Sequence, residues 1–100
     1  MKEVETKKLV LKYTLKGHKD RVWQLSWSPD GEILASCSGD KLVKLWKLNK
    51  TSNEFECIDT IESMHVKTIR CLDWSPNGKY LALGLEFFLF FFIKIKKRKF

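Results

Sequence analysis

The chain says the same thing twice. His18 to Cys37 reads HKDRVWQLSWSPDGEILASC, and His65 to Gly84 reads HVKTIRCLDWSPNGKYLALG, 47 residues later. Eight of these twenty positions are identical, at identical spacing. A repeat of this period excludes most single-core arrangements, because each copy must be one supersecondary unit that buries its sides against the next.

The units are built of strands. Residues 22–27 (VWQLSW), 33–38 (ILASCS), 42–48 (LVKLWKL), 55–61 (FECIDTI) and 68–74 are short and rich in β-branched and aromatic residues. Residues 9–15 (LVLKYTL) place Leu9, Leu11, Tyr13 and Leu15 on one side of an extended chain, which predicts one more strand. Between the strands lie turn signals. Ser28-Pro29-Asp30-Gly31 and Ser75-Pro76-Asn77-Gly78 each combine a φ preset by proline with a glycine that accepts positive φ. Gly39-Asp40-Lys41 reads as a tight reversal, and residues 47–53 as a polar connector. No segment shows a 3.6-residue period. The chain is therefore expected to be all-β, and its period points to the blades of a propeller.

Charge and cysteines narrow the function. The formal charge is +7, but residues 94–99 (KIKKRK) hold five bases and no acid. Residues 1–86 carry fourteen bases against twelve acids, so the body of the chain offers no footprint for nucleic acid. Cys37, Cys57 and Cys71 are odd in number and form no Cys-x-x-Cys. Cys37 and Cys71 fall within apolar strands and read as small buried thiols in a reducing compartment. Two histidines and three scattered cysteines do not make a metal-ligand set, and no cofactor is expected. The first eight residues, MKEVETKK, are charged and show no apolar core of a secretory signal.

Gly17-His18, the run Trp27-Ser28-Pro29-Asp30-Gly31, Leu34-Ala35-Ser36, Asp40 and the closing Leu45-Trp46 together resemble the WD-repeat family. Lys47 stands where that family often has Asp. The resemblance implies four-stranded blades around a central channel. It also implies a structural hydrogen-bond network in which His18 bridges to Asp40, Ser36 extends the bridge, and the Trp46 indole closes it. The competing reading of His18, Asp40 and Ser36 is a catalytic triad, which requires an accessible nucleophile and an oxyanion hole. The network reading is preferred, and no enzyme activity is expected. In the second copy Met64 replaces the glycine, Leu85 falls at the Ser38 position, Phe87 at the Asp40 position and Ile93 at the Trp46 position. The same network cannot form there.

By the same resemblance, propellers bind partners through loops at one face of the disc. Arg21 and Trp23, and their counterparts Thr68 and Arg70, follow the histidine loops and are the candidate partner surface. Tryptophan and arginine are enriched at interface hot spots. The alternative for Trp23 is packing against its own blade.

A narrower resemblance, over residues 9–84, is to the cytosolic iron–sulfur assembly branch of the family. Its carriers are Cys37-Ser38-Gly39-Asp40, the strand ahead of the first blade, and Thr68-Ile69-Arg70 after the second histidine. It implies a non-enzymatic scaffold that docks iron–sulfur assembly and targeting factors in the cytoplasm, with the nucleus as a second compartment. The partners are other proteins, with no small-molecule substrate and no nucleic acid. A scaffold of another complex is the alternative within the family.

The organisation expected is a charged segment at 1–8, blades over 9–84, and an aberrant Phe/Lys-rich tail at 85–100. The first repeat takes about 17–48 and the partial second about 64–84, so that about one and a half four-stranded blades make an incomplete propeller. The tail, with FFLFFFI at 87–93, reads as the mark of a truncated or mis-framed product. Its alternatives are an interfacial membrane anchor or a basic patch for nucleic acid or an acidic partner. A membrane span is not expected: Leu81 to Ile93 is 13 residues and includes Glu86, where a span needs about 20 apolar residues. A chain with so few blades leaves apolar faces uncovered and is expected to be unstable alone or to self-associate.

Overall fold

The computed structural model describes residues 9–62, 68–85 and 90–95. Every regular element among them is a strand. β1 (Val22–Trp27), β2 (Ile33–Ser38), β3 (Leu42–Asn49) and β4 (Glu54–Glu62) form one antiparallel sheet in the order β1-β2-β3-β4. β5 (Ile69–Trp74), β6 (Tyr80–Leu85) and β7 (Phe90–Lys94) form a second, in the order β5-β6-β7. Each strand pairs with its sequence neighbour, the arrangement that short turns allow.

The two Ser-Pro turns set the matching hairpins, and they are built alike. Ser28 Oγ donates to Asp30 Oδ1, and that oxygen also accepts from Glu32 N at 3.0 Å. Ser28 Oγ in turn accepts from Ile33 N at 3.0 Å. In the second turn Ser75 Oγ donates to Asn77 Oδ1 at 2.7 Å, Lys79 N donates to the same oxygen, and Tyr80 N donates to Ser75 Oγ. Gly31 at φ 75° and Gly78 at φ 71° close the two turns in the left-handed region, where a Cβ would be strained. The hydrogen bonds from Ser28 and the Glu32 amide hold the Asp30 carboxyl below its usual range.

Equal turns give equal registers. Leu34 faces Trp46 across β2 and β3, and Leu81 faces Ile93 across β6 and β7. Both pairs are shifted by the repeat distance. The run of repeated letters ends at Ala82, yet the ladder runs on: residues 90–94, part of the expected tail, pair with β6 as its third strand. Backbone pairing needs an extended chain held in register, not particular side chains.

A single core lies between the sheets. Ile33, Ala35 and Cys37 alternate along β2 with Leu34, Ser36 and Ser38, so the two triplets point to opposite faces. The first triplet, with Val43 and Leu45, joins Ile69, Leu72, Trp74, Leu81, Leu83 and Leu85 of the second sheet in one cluster. Two polar bonds fasten the seam: Leu72 N donates to Gln24 Oε1 at 2.8 Å, and the Trp74 indole donates to Ser26 O at 3.0 Å. Fully burying one leucine of this set contributes roughly 1.5–3 kcal/mol.

Two expectations are corrected. Residues 9–15 form no ladder. Leu9, Val10 and Leu11 stand in solvent, and Tyr13 packs its ring edge-on to Phe55 at 4.9 Å. Alternation becomes a strand only when a neighbour supplies backbone donors and acceptors, and none of the described residues pairs with this segment. Cys71 is exposed, unlike Cys37, because its face of β5 turns away from the seam. In the expected reversal at 38–41 the positive φ falls on Lys41, at 69°. The Asp20 carboxylate lies close over Gly39.

Candidate functional site

The loop before β1 is tied down across the outer face of the first sheet. Gly17 lies over the Trp46 ring, close enough that a Cβ would meet the indole at 3.2 Å. The next residue, His18, turns inward. Its Nδ1 sits 2.9 Å from Asp40 Oδ2, and its Nε2 2.7 Å from Ser36 Oγ. Trp46 Nε1 donates to the same Ser36 oxygen at 2.9 Å. The structure thus brings His18, Ser36, Asp40 and Trp46 into one chain, from a loop, from β2, from the β2–β3 turn and from β3.

The indole N–H can only donate, so Ser36 Oγ accepts from it. The Ser36 hydroxyl carries one proton, which can go to His18 Nε2 or to Lys44 O at 3.4 Å, and the Asp40 carboxylate, an acceptor only, faces His18 Nδ1. Asp40 is anchored further by Lys19 N at 3.0 Å and Leu42 N at 3.0 Å. Burial by itself would raise the Asp40 carboxyl, but the bond from His18 and the two backbone amides outweigh it and hold it below its usual range. Among the described residues no buried side-chain nitrogen or oxygen lacks a hydrogen-bond partner.

An Asp–His–Ser order at these distances has the look of a nucleophile relay. Its surroundings do not suit that work. Ser36 is 2% exposed, and the His18 and Asp40 side chains 6% and 8%. The indole already occupies one side of the serine oxygen. A nucleophile needs an approach for substrate and donors for the developing oxyanion, and this serine lies beneath Trp46 and His18.

The second sheet carries no such chain among its described residues. Leu83, 2% exposed, takes the position of Ser36, and Ile93 that of Trp46. The other two counterparts, His65 and Phe87, lie outside the described residues.

Of the residues singled out as a partner surface, the structure brings two together. The Arg70 guanidinium lies over the Trp23 ring, 4.6 Å from its centroid. The two occupy the same position of successive repeats, and each sits at a β-bulge, between Val22 and Gln24 and between Ile69 and Cys71. A bulge re-aims a side chain, and here it turns both toward the seam. Trp23 remains 40% exposed and Arg70 is exposed. Arg21 is exposed beside them in sequence, its carbonyl accepting from Gly39 N at 2.9 Å. Thr68 is half-buried. The Trp23–Arg70 contact was not foreseeable from spacing alone, since the alternation that places a side chain breaks at a bulge.

Other chemistry is sparse. The Cys37 thiol is pushed up to about 11 by burial, which suppresses the thiolate. Among the described residues no three His, Cys, Asp or Glu side chains are grouped to hold a metal ion. No helix among them is long and apolar enough to cross a membrane.

With this geometry in hand, the chain was compared with known proteins. The family described as WD domain, G-beta repeat, matches residues 9–47 and 55–84. Protein CIA1 of Arabidopsis thaliana is 44% identical over 75 residues, which cover 68% of this chain and 21% of the relative. A protein of Chlamydomonas reinhardtii, described as a probable cytosolic iron-sulfur protein assembly protein CIAO1 homolog, is 47% identical over 58 residues, covering 56% of this chain and 16% of the relative. A Yarrowia lipolytica protein described as probable cytosolic iron-sulfur protein assembly protein 1 is 39% identical over 74 residues, covering 74% and 21%. The chain spans about a fifth of the length of these curated relatives.

Proposed function

The chain belongs to the WD-repeat family, and from that premise we propose that it is a non-enzymatic interaction scaffold of cytosolic iron–sulfur protein assembly. The observation that carries the non-enzymatic reading is the burial of Ser36. Its hydroxyl is engaged by Trp46, His18 and the Lys44 carbonyl, so this constellation with a catalytic order serves as a brace. In this reading His18, Ser36, Asp40 and Trp46 hold the loop at 17–20 and the strands β2 and β3 in fixed relation. That fixes the start of β1, and with it Arg21 and Trp23.

Recognition then falls to what the brace leaves outside. Trp23 and Arg70 form a flat, cationic platform contributed by both sheets, with Arg21 and Thr68 at its edges. Rigid aromatic and guanidinium groups make good anchors because they lose little conformational freedom on binding. The assignment to iron–sulfur assembly is supported by the names of the relatives and by the residues shared with them. The cargo would be protein-bound clusters handled by partner proteins, in the cytosol, with recognition as the only chemistry of this chain.

The test is capture of purified cytosolic iron–sulfur assembly and targeting factors by the immobilised full chain. Trp23→Ala and Arg70→Ala are expected to weaken capture at least tenfold together, the loss of about 1.4 kcal/mol. Undiminished capture by the double variant would remove this surface from the proposal, and no capture by the unaltered chain would remove the assembly role.

A further inference from the structure

The two Ser-Pro turns differ in the residue ahead of their glycine. Asp30 precedes Gly31 in the first, and Asn77 precedes Gly78 in the second. The two side chains hold the same place: each Oδ1 accepts from the serine hydroxyl two residues back and from the amide two residues on. Asn49 and Asn53 are followed by Lys50 and Glu54, so Asn77 alone among the asparagines has a glycine after it. Asn77 is exposed and Gly78 half-buried. With no Cβ, the glycine nitrogen is the least hindered one that can approach the preceding side-chain carbonyl. In the closed turn that nitrogen is engaged, because its N–H donates to Ser75 O at 2.9 Å. The Asn77 carbonyl is engaged as well, held by Ser75 Oγ at 2.7 Å and Lys79 N at 3.0 Å.

We infer that Asn77 is a modification site: its side-chain amide is hydrolysed by way of the Gly78 nitrogen when the turn opens, and the turn then retains the aspartate form. The Gly78 N–H gives its proton to solvent, and the nitrogen forms a bond to Asn77 Cγ. The Cγ–Nδ2 bond breaks, ammonia leaves with a proton from water, and a five-membered imide is closed. Water then cleaves one of the two imide C–N bonds. Cleavage at Cγ gives aspartate on an unaltered main chain. Cleavage at the main-chain carbonyl carbon gives isoaspartate, whose chain runs through Cγ. Nothing is oxidised or reduced: one amide and one water become one carboxylate and one ammonium. The first turn shows what the aspartate form meets, since Asp30 sits in the same bonds and they hold its carboxyl below its usual range. Isoaspartate lengthens the main chain by one atom, which displaces Gly78 N from Ser75 O and Lys79 N from the side chain at 77. Gly78 lies beside Pro29, and both turns line one cleft at the seam. The aspartate form puts a carboxylate from each turn on that cleft. This chemistry is independent of the scaffold role.

Incubation of the full chain at neutral pH, followed by peptide mapping with mass spectrometry, tests it. In urea, residue 77 is expected to convert roughly tenfold faster than Asn49 or Asn53, and Gly78→Ala to slow it roughly tenfold there, where folding plays no part. In native buffer the conversion is expected to slow by the factor that protects the Gly78 amide from hydrogen exchange, to within about threefold, because one opening frees both. Ser75→Ala deletes the serine's side-chain bonds and is expected to raise the native rate and lower the protection together. Asn77→Asp is expected to leave the Gly78 amide at least as protected as in the unaltered chain. An Asn77 that stays unconverted in urea overturns the site, as does a conversion that Gly78→Ala leaves unchanged. An unprotected Gly78 amide, or a native rate out of proportion to its protection, overturns the gating. Lost protection in Asn77→Asp overturns the retention of the aspartate form.

Discussion

The two sheets take the same register and fill its centre with opposite chemistry. In the first, Ser36 holds a polar chain that reaches from Trp46 through His18 to Asp40. In the second, Leu83 and Ile93 stand at the Ser36 and Trp46 positions and pack into the apolar core. Pairing therefore does not require the polar chain, since β6 and β7 pair without it. The chain's work is to fasten a loop: His18 and Lys19 both reach Asp40, so residues ahead of β1 are held to a turn two strands away. The lesson is that the Ser-Pro turn and the alternation specify the sheet, while the tetrad specifies where the loop lies on it.

The comparison can be broken from either side. The largest effect is expected in the second sheet, where Leu83→Ala should lower stability by about 3 kcal/mol through lost burial and a residual cavity, read from urea unfolding at fixed chain concentration. Next comes Ser36→Ala in the first sheet. It leaves the Trp46 indole N–H and a nitrogen of His18 without their shared partner, at a cost of about 2 kcal/mol. If Ser36→Ala proved neutral, the tetrad would be an ornament of the fold rather than a brace.

Acid should separate the two sheets as well. The Asp40 carboxyl is held below its usual range in the folded chain, so the unfolded chain takes up that proton at a higher pH than the folded chain does. The contribution is complete above the ordinary carboxylate pKa of about 4 and is lost as pH falls through the depressed folded value. Asp40→Asn should flatten that part of the stability–pH curve. A smaller gain, about 1 kcal/mol, is expected from Lys41→Gly, which relieves the left-handed backbone at φ 69°. The smallest effect is across the seam. A double-mutant cycle on Trp23 and Arg70 should return a coupling of about 0.5–1 kcal/mol, as for a cation over an exposed ring.

Much of this was legible in the residues. The turns at 28–31 and 75–78 are spelled out by serine, proline, Asp or Asn, and glycine, each with a local hydrogen-bonding task. The strands that follow from them fall within a residue or two of the expected bounds. His18, Ser36, Asp40 and Trp46 could be grouped because the resemblance to the WD-repeat family implied the pattern. What was not legible depends on neighbours. Residues 9–15 alternate correctly but find no strand to pair with among the described residues. Leu25 and Leu72 are the same letter at the same repeat position, and only a covering sheet makes one buried and the other exposed. The third strand of the second sheet comes from residues of which only Lys94 matches its counterpart, Lys47, in the first copy. The contact between Trp23 and Arg70 depends on two bulges, where counting by twos fails.

The placement of the four tryptophans carries a practical consequence. Trp23 and Trp27 lie at the surface, Trp46 closes the polar brace, and Trp74 reaches across to the carbonyl of Ser26. Fluorescence from Trp74 should shift to the red when the sheets part, even while each sheet stays intact. That of Trp46 should shift when the loop at 17–20 lifts from it or the first sheet itself opens. A pair of chains, each keeping one of these two indoles, would time the two events separately: light from one side chain for the joint, and from the other for the part.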